Sequence, residues 1–274
     1  NAEPASIEHH SLVRETDQNA LIVLHQETSL SKQRIKLAMT HGAVWLTRGK
    51  NTQRLRRAKR VLRVGDELHL YYNEKILNEE PIAPKLIADC GGYSVWDKPY
   101  GLRSQGSKWG DHCTVVRWAE RALDRSSYTV HCLDRAANGL ILIAHTKTIA
   151  ASLSALFRER KIEKRYQALV EGNFGEEQIP HRCEFEIDGK AAVSVITHDK
   201  FLNKTKQSLL RITIETGRKH QIRRHLAELG YPVVGDRLYG NASPSGPDLC
   251  LSARSLSFHC PIEDRQVLYE LHRD

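Results

Sequence analysis

His131-Cys132-Leu133-Asp134-Arg135-Ala136-Ala137-Asn138-Gly139 runs directly into Leu140-Ile141-Leu142-Ile143-Ala144. The second half is an unbroken apolar run, the pattern of a strand buried on both faces. The first half puts a carboxylate in a polar turn that closes on a glycine just before that strand. Taken alone, Asp134 reads as a turn residue bonding nearby backbone N–H groups. A second stretch gives it chemical meaning: Glu215-Thr216-Gly217-Arg218-Lys219-His220-Gln221-Ile222-Arg223-Arg224-His225. Gly217 and Arg218 stand at the entry to a short helix, where backbone donors favour phosphate. His220 and Arg223 share one face of that helix. A carboxylate held charged beside such a cation is a candidate nucleophile or base.

Working outward, Tyr93-Ser94-Val95-Trp96 reads as a strand ended by the turn Lys98-Pro99-Tyr100-Gly101. The Gly101 to Gly106 spacing mimics a phosphate loop, but Ser107 stands where that motif needs Lys, so a surface loop is expected. A helix follows around Val115 to Leu123. Ile149, Leu153, Leu156 and Phe157 mark one face of another helix, from about Thr148 to Arg160. Lys164 to Val170 is a strand into a turn at Gly172; alternating Leu210, Ile212 and Ile214 form a half-buried strand; Leu249 to Phe258 is a late strand. Tyr166 reads either as a core aromatic or as a ring on which an everted base stacks. Strands and helices interleave without a regular βαβ rhythm. This predicts an α+β domain, a mixed, largely antiparallel sheet with packed helices, rather than a doubly wound fold.

Residues 1–20 are polar and read as a tail. Leu30, Ile35, Leu37, Ala38 and Met39 mark a helix, capped by Ser29 or Ser31 and stopped at Gly42, with no earlier helix legible. A strand at Ala43 to Leu46, a basic connection over Asn51 to Lys59 and a strand at Glu67 to Tyr71 complete a small α/β module at 21–75. Residues 76–90, with Pro81 and Pro84, read as a linker, and the larger domain spans 91–274. The net charge is +8. Residues 31–72 hold eleven Lys/Arg against two Asp/Glu, whereas the rest of the chain holds 30 against 31. So concentrated a basic block suits a polyanion, nucleic acid first. No apolar run long enough to cross a membrane occurs, and residues 1–8 lack a signal-peptide core. Six cysteines without a Cys-x-x-Cys pair read as free thiols in a reducing cytoplasm rather than a zinc site or disulfide framework. His220 and His225, five apart, do not form a helical zinc pair.

From Gly91 onward, five ordered blocks resemble the RluA family of RNA pseudouridine synthases. Asp97 to Leu102 is similar to the family's Lys-Pro-x-Gly-Leu turn, and His131 to Gly139 to its catalytic segment. Lys164 to Gly172, Thr216 to His225 and Leu229 to Gly240 are similar to three further motifs. The module at 21–75 resembles the S4 RNA-binding module common in that family. The resemblance implies the pseudouridine synthase fold and isomerisation of a uridine in structured ribosomal or transfer RNA, without cofactor or metal. The C1′–N1 bond breaks, the uracil turns, and it rejoins through C5. Asp134 would be the catalytic carboxylate. Tyr166 would stack on the flipped uracil and move a proton late, and Arg223 would pair with Asp134 and keep it ionised. Contact with RNA is expected from His131, Cys132, Arg135, Arg218 and His220, and from Lys32, Arg34 and Lys36 of the module. RNA is the expected partner of a monomer. Cys132 departs from the family, which has Arg there, a residue thought to fill the gap left by the flipped base; Ala137-Asn138 replaces the usual Thr-Ser. Cys132 opens an alternative reading, an RNA-binding protein with a weakened or inactive synthase site.

Overall fold

A computed structural model describes residues 5–272. The chain up to Ile82, together with Gln105–Trp118, forms one compact unit; Ala83–Ser104 and the chain from Ala119 form the other. The loop at 105–118 therefore belongs with the N-terminal unit, although the sequence places it inside the larger domain.

The first unit contains β1 (Ser6–Leu12), α1 (Ala20–Glu27), α2 (Lys32–Thr40), β2 (Val44–Arg48), β3 (Asn51–Arg54), β4 (Glu67–Asn73) and the single turn α3 (Glu74–Leu77). Its strands form an antiparallel sheet in the order β1-β4-β2-β3. The Ile22 N–H donates to the Asn19 side chain at the start of α1 (3.0 Å), and the Arg34 N–H to Ser31 at the start of α2 (3.3 Å). One sheet face (Val44, Leu46, Leu68, Leu70, Tyr72) packs with Leu24, Leu30, Ile35 and Met39 of the helical layer. Three expectations change. The stretch expected as a tail supplies β1, paired with β4 from Ser6↔Asn73 to Leu12↔Glu67. A first helix, α1, precedes α2. The basic connection begins as β3.

The second unit carries β5 (Lys85–Asp89), β6 (Tyr93–Lys98), β7 (Tyr128–Thr129), β8 (Asn138–Ala144), α5 (Lys147–Arg158), β9 (Glu163–Glu171), β10 (His181–Cys183), β11 (Ser194–Leu202), β12 (Gln207–Ile214), α6 (Gln221–Glu228), β13 (Leu251–Cys260) and β14 (Arg265–Glu270); the boundary passes through α4 (Val115–Leu123). The strands order as β10-β11-β12-β9-β13-β8-β6-β5, with β14 on β13 and β7 on β8. Every pairing among these described strands is antiparallel except β13 with β8, so the sheet is mixed and largely antiparallel. The stretch expected as a linker contains β5, an edge strand on β6. One core forms around Leu140, Leu142, Leu153 and Phe258, another around Ala168, Leu210, Ile222 and Leu226. Leu140 to Ala144 are fully buried, as their unbroken apolar character requires. Among the described residues, no helix is long and apolar enough to cross a membrane.

Gly139 fixes where the turn that carries Asp134 enters this sheet. Its φ is +116°, and a Cβ there would collide with the backbone of Ala253 on β13. Gly139→Ala is expected to destabilise the protein by about 2–5 kcal/mol, from backbone strain plus overpacking. Urea denaturation measures this; a loss below about 1 kcal/mol would show that the strand pair relaxes freely.

Candidate active site

Asp134 lies in the turn before β8, which closes when the Ala137 N–H donates to the Asp134 carbonyl (3.1 Å). Two elements hold this turn. Leu133 exchanges hydrogen bonds with Ser104, N–H to Oγ and Oγ–H to carbonyl, both 2.9 Å. The Gly101 N–H donates to the Arg135 carbonyl (2.8 Å), and Arg135 Nε returns a bond to the Gly101 carbonyl (3.0 Å). Beneath them lies Lys98, fully buried at the end of β6, its Nζ donating to the carbonyls of Leu102 (2.7 Å), Pro99 (3.1 Å) and Arg135 (3.3 Å). Burial pushes its pKa down to about 7, against the pull of the Asp134 charge. The backbone around Asp134 is thus fixed from below by an ammonium with three carbonyl acceptors.

His131 does structural work of the same kind. Its Nε2 accepts the Leu142 N–H (2.9 Å), and its ring stacks on Phe157 with centroids 4.2 Å apart. That nitrogen is engaged within the fold, and His131 also lines the cavity described below. Burial, then the Lys164 charge, pushes its pKa from 6.5 to about 3. Between those values the unfolded chain binds a proton that the folded protein excludes. Stability is therefore lost as pH falls below 6.5, by up to about 1.4 kcal/mol per pH unit. His131→Gln keeps an acceptor and removes the titration. Its stability is expected to fall less steeply than wild type between pH 7 and 5 in urea denaturation; parallel slopes would refute the assignment.

Arg223 and His220 meet Asp134 from the α6 side. Arg223 Nη1 is 3.6 Å from Asp134 Oδ2, and His220 Nε2 is 3.7 Å from Oδ1. The tighter partner of the buried Arg223 is Asp236, which accepts its Nε and Nη2 at 2.9 and 2.7 Å. The expected pair is thus a triad, Asp134–Arg223–Asp236, with the fork on the deeper acid. Asp236 also accepts the N–H groups of Leu238 (3.0 Å) and Tyr239 (3.1 Å). Burial alone would raise its pKa, but the Arg223 fork and these backbone donors hold it below the usual carboxylate range. Burial lowers the pKa of His220, against the pull of Asp134, and its Nδ1 lies 2.9 Å from the Tyr239 hydroxyl. The turn that presents His220 is held by buried Gln221. Its Oε1 accepts from Thr216 Oγ1 (2.6 Å) and the Arg218 N–H (3.1 Å), and its Nε2 donates to Val193 and Ser194 (both 2.9 Å).

Asp134 and His220 open onto a cavity of about 1110 Å³, whose lining also includes Tyr166, Lys164, Arg218 and Cys132. Tyr166, on β9, has its phenol pushed up by burial and then by the Asp134 charge, so its hydroxyl stays protonated. Burial lowers the pKa of Lys164, two residues earlier. Arg218 reaches the Ala191 carbonyl through Nε (3.0 Å), and Cys132 is exposed. In the N-terminal unit, Lys32 and Lys36 are exposed on α2. Arg34 instead donates to Tyr72 (2.8 Å) and Asn78 (3.2 Å), which ties it into the unit. Sequence reasoning assigned no role to Asp236, Lys98 or Gln221. The usable signal for Asp236 was the need of an inward-facing Arg for a buried acid. Among the described residues, no group of three or more His, Cys, Asp or Glu side chains is placed to hold a metal ion.

Residues 92–228 match the family model described as RNA pseudouridylate synthase. An RNA pseudouridine synthase of Aquifex aeolicus is 31% identical over 273 residues, covering 88% of this chain and 85% of that one. The dual-specificity RNA pseudouridine synthase RluA of Haemophilus influenzae is 31% identical over 158 residues, 53% of this chain and 72% of its own. Among solved structures, human RNA Pseudouridylate Synthase Domain Containing 1 shares the fold, with a TM-score of 0.56 at 22% identity over 71% of this chain and 86% of that one. The chain belongs to the RNA pseudouridine synthases, isomerases of uridine in RNA, and within them to the RluA family.

Proposed function

We propose that this enzyme isomerises a specific uridine in structured ribosomal or transfer RNA with Asp134 as its catalytic carboxylate. The observation that carries the reading is the convergence of Asp134, His220 and Tyr166 on one cavity, with buried Arg223 3.6 Å from the Asp134 carboxylate. The reaction breaks C1′–N1 and forms C1′–C5. The C5 proton departs and N1 ends protonated, so atoms balance without a second substrate. Asp134 acts at the glycosidic centre as charge develops there. Arg223, already oriented by Asp236, faces it with no reorganisation, which is how a fixed charge contributes most. Tyr166 offers a ring face for the uracil and a protonated hydroxyl for the late proton transfer. Arg218 and His220 are the RNA contacts nearest the chemistry, with Arg135 and Cys132 beside them. Lys32 and Lys36 meet phosphates of the RNA.

Pseudouridine mapping in ribosomal and transfer RNA, from cells with and without this protein, tests the reading. One or a few uridines are expected to go unmodified without it; identical maps would count against it. The exposed Cys132 favours the second reading, a binding protein with a weakened site. An active enzyme predicts that Cys132→Arg changes kcat by less than about tenfold, or 1.4 kcal/mol. A much larger rise would favour the second reading.

A further inference from the structure

The four-stranded sheet of the N-terminal unit has a second face, away from its helices. The two-residue period and the strand register set one row across all four strands: His10 on β1 lies opposite His69 on β4, His69 opposite Trp45 on β2, and Trp45 opposite Arg54 on β3. Tyr71 follows on the same face of β4. A hairpin at 107–110 adds Trp109 to this row. Ser107 and Gly110 exchange backbone hydrogen bonds (3.0 and 3.2 Å), Trp45 Nε1 donates to the Lys108 carbonyl (3.0 Å), and Arg54 Nη2 donates to the Ser107 carbonyl (2.7 Å). Tyr71 and Trp109 meet edge to face with centroids 5.6 Å apart. Each ring has a cation above it: Arg54 lies 4.2 Å from Trp45, and Lys108 lies 4.5 Å from Tyr71 and 5.5 Å from Trp109. Trp45, Tyr71 and Trp109 all remain partly exposed, and Lys108 is about half exposed.

A soluble sheet with one covered face normally turns polar side chains to water. Here the outer face gathers three aromatic rings interleaved with cations; Trp45, Arg54 and Tyr71 lie in the segment that holds the chain's positive excess, and Lys108 and Trp109 come from the hairpin at 107–110. Rings with adjacent cations suit bases that stack while their phosphates pair. We infer that this face is a stacking platform for a single-stranded stretch of the RNA substrate, distinct from the nucleotide that enters the catalytic cavity. The occupant is RNA because the enzyme acts on RNA and the face offers aromatic rings for its bases; Lys108 and Arg54 each also have a carboxylate neighbour, Glu8 at 3.6 Å and Asp111 at 3.4 Å. It is single-stranded because paired bases hide their faces. The inference rests on RNA being the substrate and not on the role of Asp134. It gives the loop at 105–118 a purpose, since that loop supplies Trp109 and Lys108.

Affinity of the enzyme for a fluorescein-labelled single-stranded RNA and for an RNA duplex tests it, with wild type, Trp109→Ala and Trp109→Phe. Trp109→Ala is expected to bind the single strand about 5- to 100-fold more weakly, the loss of one stacked base, with duplex affinity and kcat at saturating substrate unchanged. Trp109→Phe keeps a ring and should stay within about threefold of wild type. In the wild type, the single strand should quench tryptophan fluorescence, a readout that needs no variant. Single-strand affinity of Trp109→Ala within twofold of wild type, equal losses on single strand and duplex, or absence of quenching would each overturn the inference. Loss of kcat in Asp134 variants bears on the catalytic reading and leaves this one untouched.

Discussion

Asp236→Ala is expected to destabilise the protein by about 3–5 kcal/mol, the usual consequence of stranding one member of a buried ion pair. Arg223 would keep its buried charge but lose both prongs of its fork, and the N–H groups of Leu238 and Tyr239 would lose their acceptor. The nearest remaining anion is Asp134, 3.6 Å away. A guanidinium released from the deeper acid would close on it and occupy the carboxylate meant for substrate. Activity should therefore fall further than the folded fraction does. Asp236→Asn keeps one oxygen for the backbone donors and should lose less. Adding Arg223→Met to Asp236→Ala removes the stranded charge and should recover part of the stability, a non-additivity that a double-mutant cycle reads directly. Additive losses, or a single-variant loss below about 1 kcal/mol, would show that the fork is not what holds Arg223.

Asp134→Asn is expected to lower kcat by about 10³-fold or more, in the range seen for groups that act directly on the reacting atoms. Its stability should stay within about 1 kcal/mol of wild type, because the turn is held by its backbone, by Ser104 and by Lys98 rather than by the carboxylate. RNA affinity should hold or rise, since one negative charge leaves a cavity lined with cations. A variant that loses activity by unfolding, or by failing to bind RNA, would separate from this expectation in the denaturation and binding curves.

How far the residues disclosed this in advance depends on the physics each signal reports. Leu140 to Ala144 was legible as a central strand because burial on both faces demands an unbroken apolar run. β1 was not, because its inward positions include His9 and Ser11, so no apolar alternation marks it. α1 was hidden by the continuous run Leu21-Ile22-Val23-Leu24, which carries no helical period. β5 follows Pro81 and Pro84 and lies at a sheet edge, where half its face needs no apolar residue. In the site, the resemblance to the family's motifs, rather than spacing, is what grouped Asp134, Tyr166, His220 and Arg223 in advance. It did not decide which of two acids receives the guanidinium. That choice belongs to burial and fork geometry, and Asp236 wins because it lies deeper and meets both prongs. Arg34 was expected to face RNA; its charge type was legible, but not the Tyr72 hydroxyl and Asn78 side chain waiting for it.

The most direct test is a single-turnover assay on substrate RNA tritiated at uracil C5, run at equal RNA occupancy with wild type and Asp134→Asn. Full release of the label by the wild type, and none above background by the variant over the same interval, is the predicted result. Release by Asp134→Asn at the wild-type rate would remove the carboxylate from the chemistry and contradict the account.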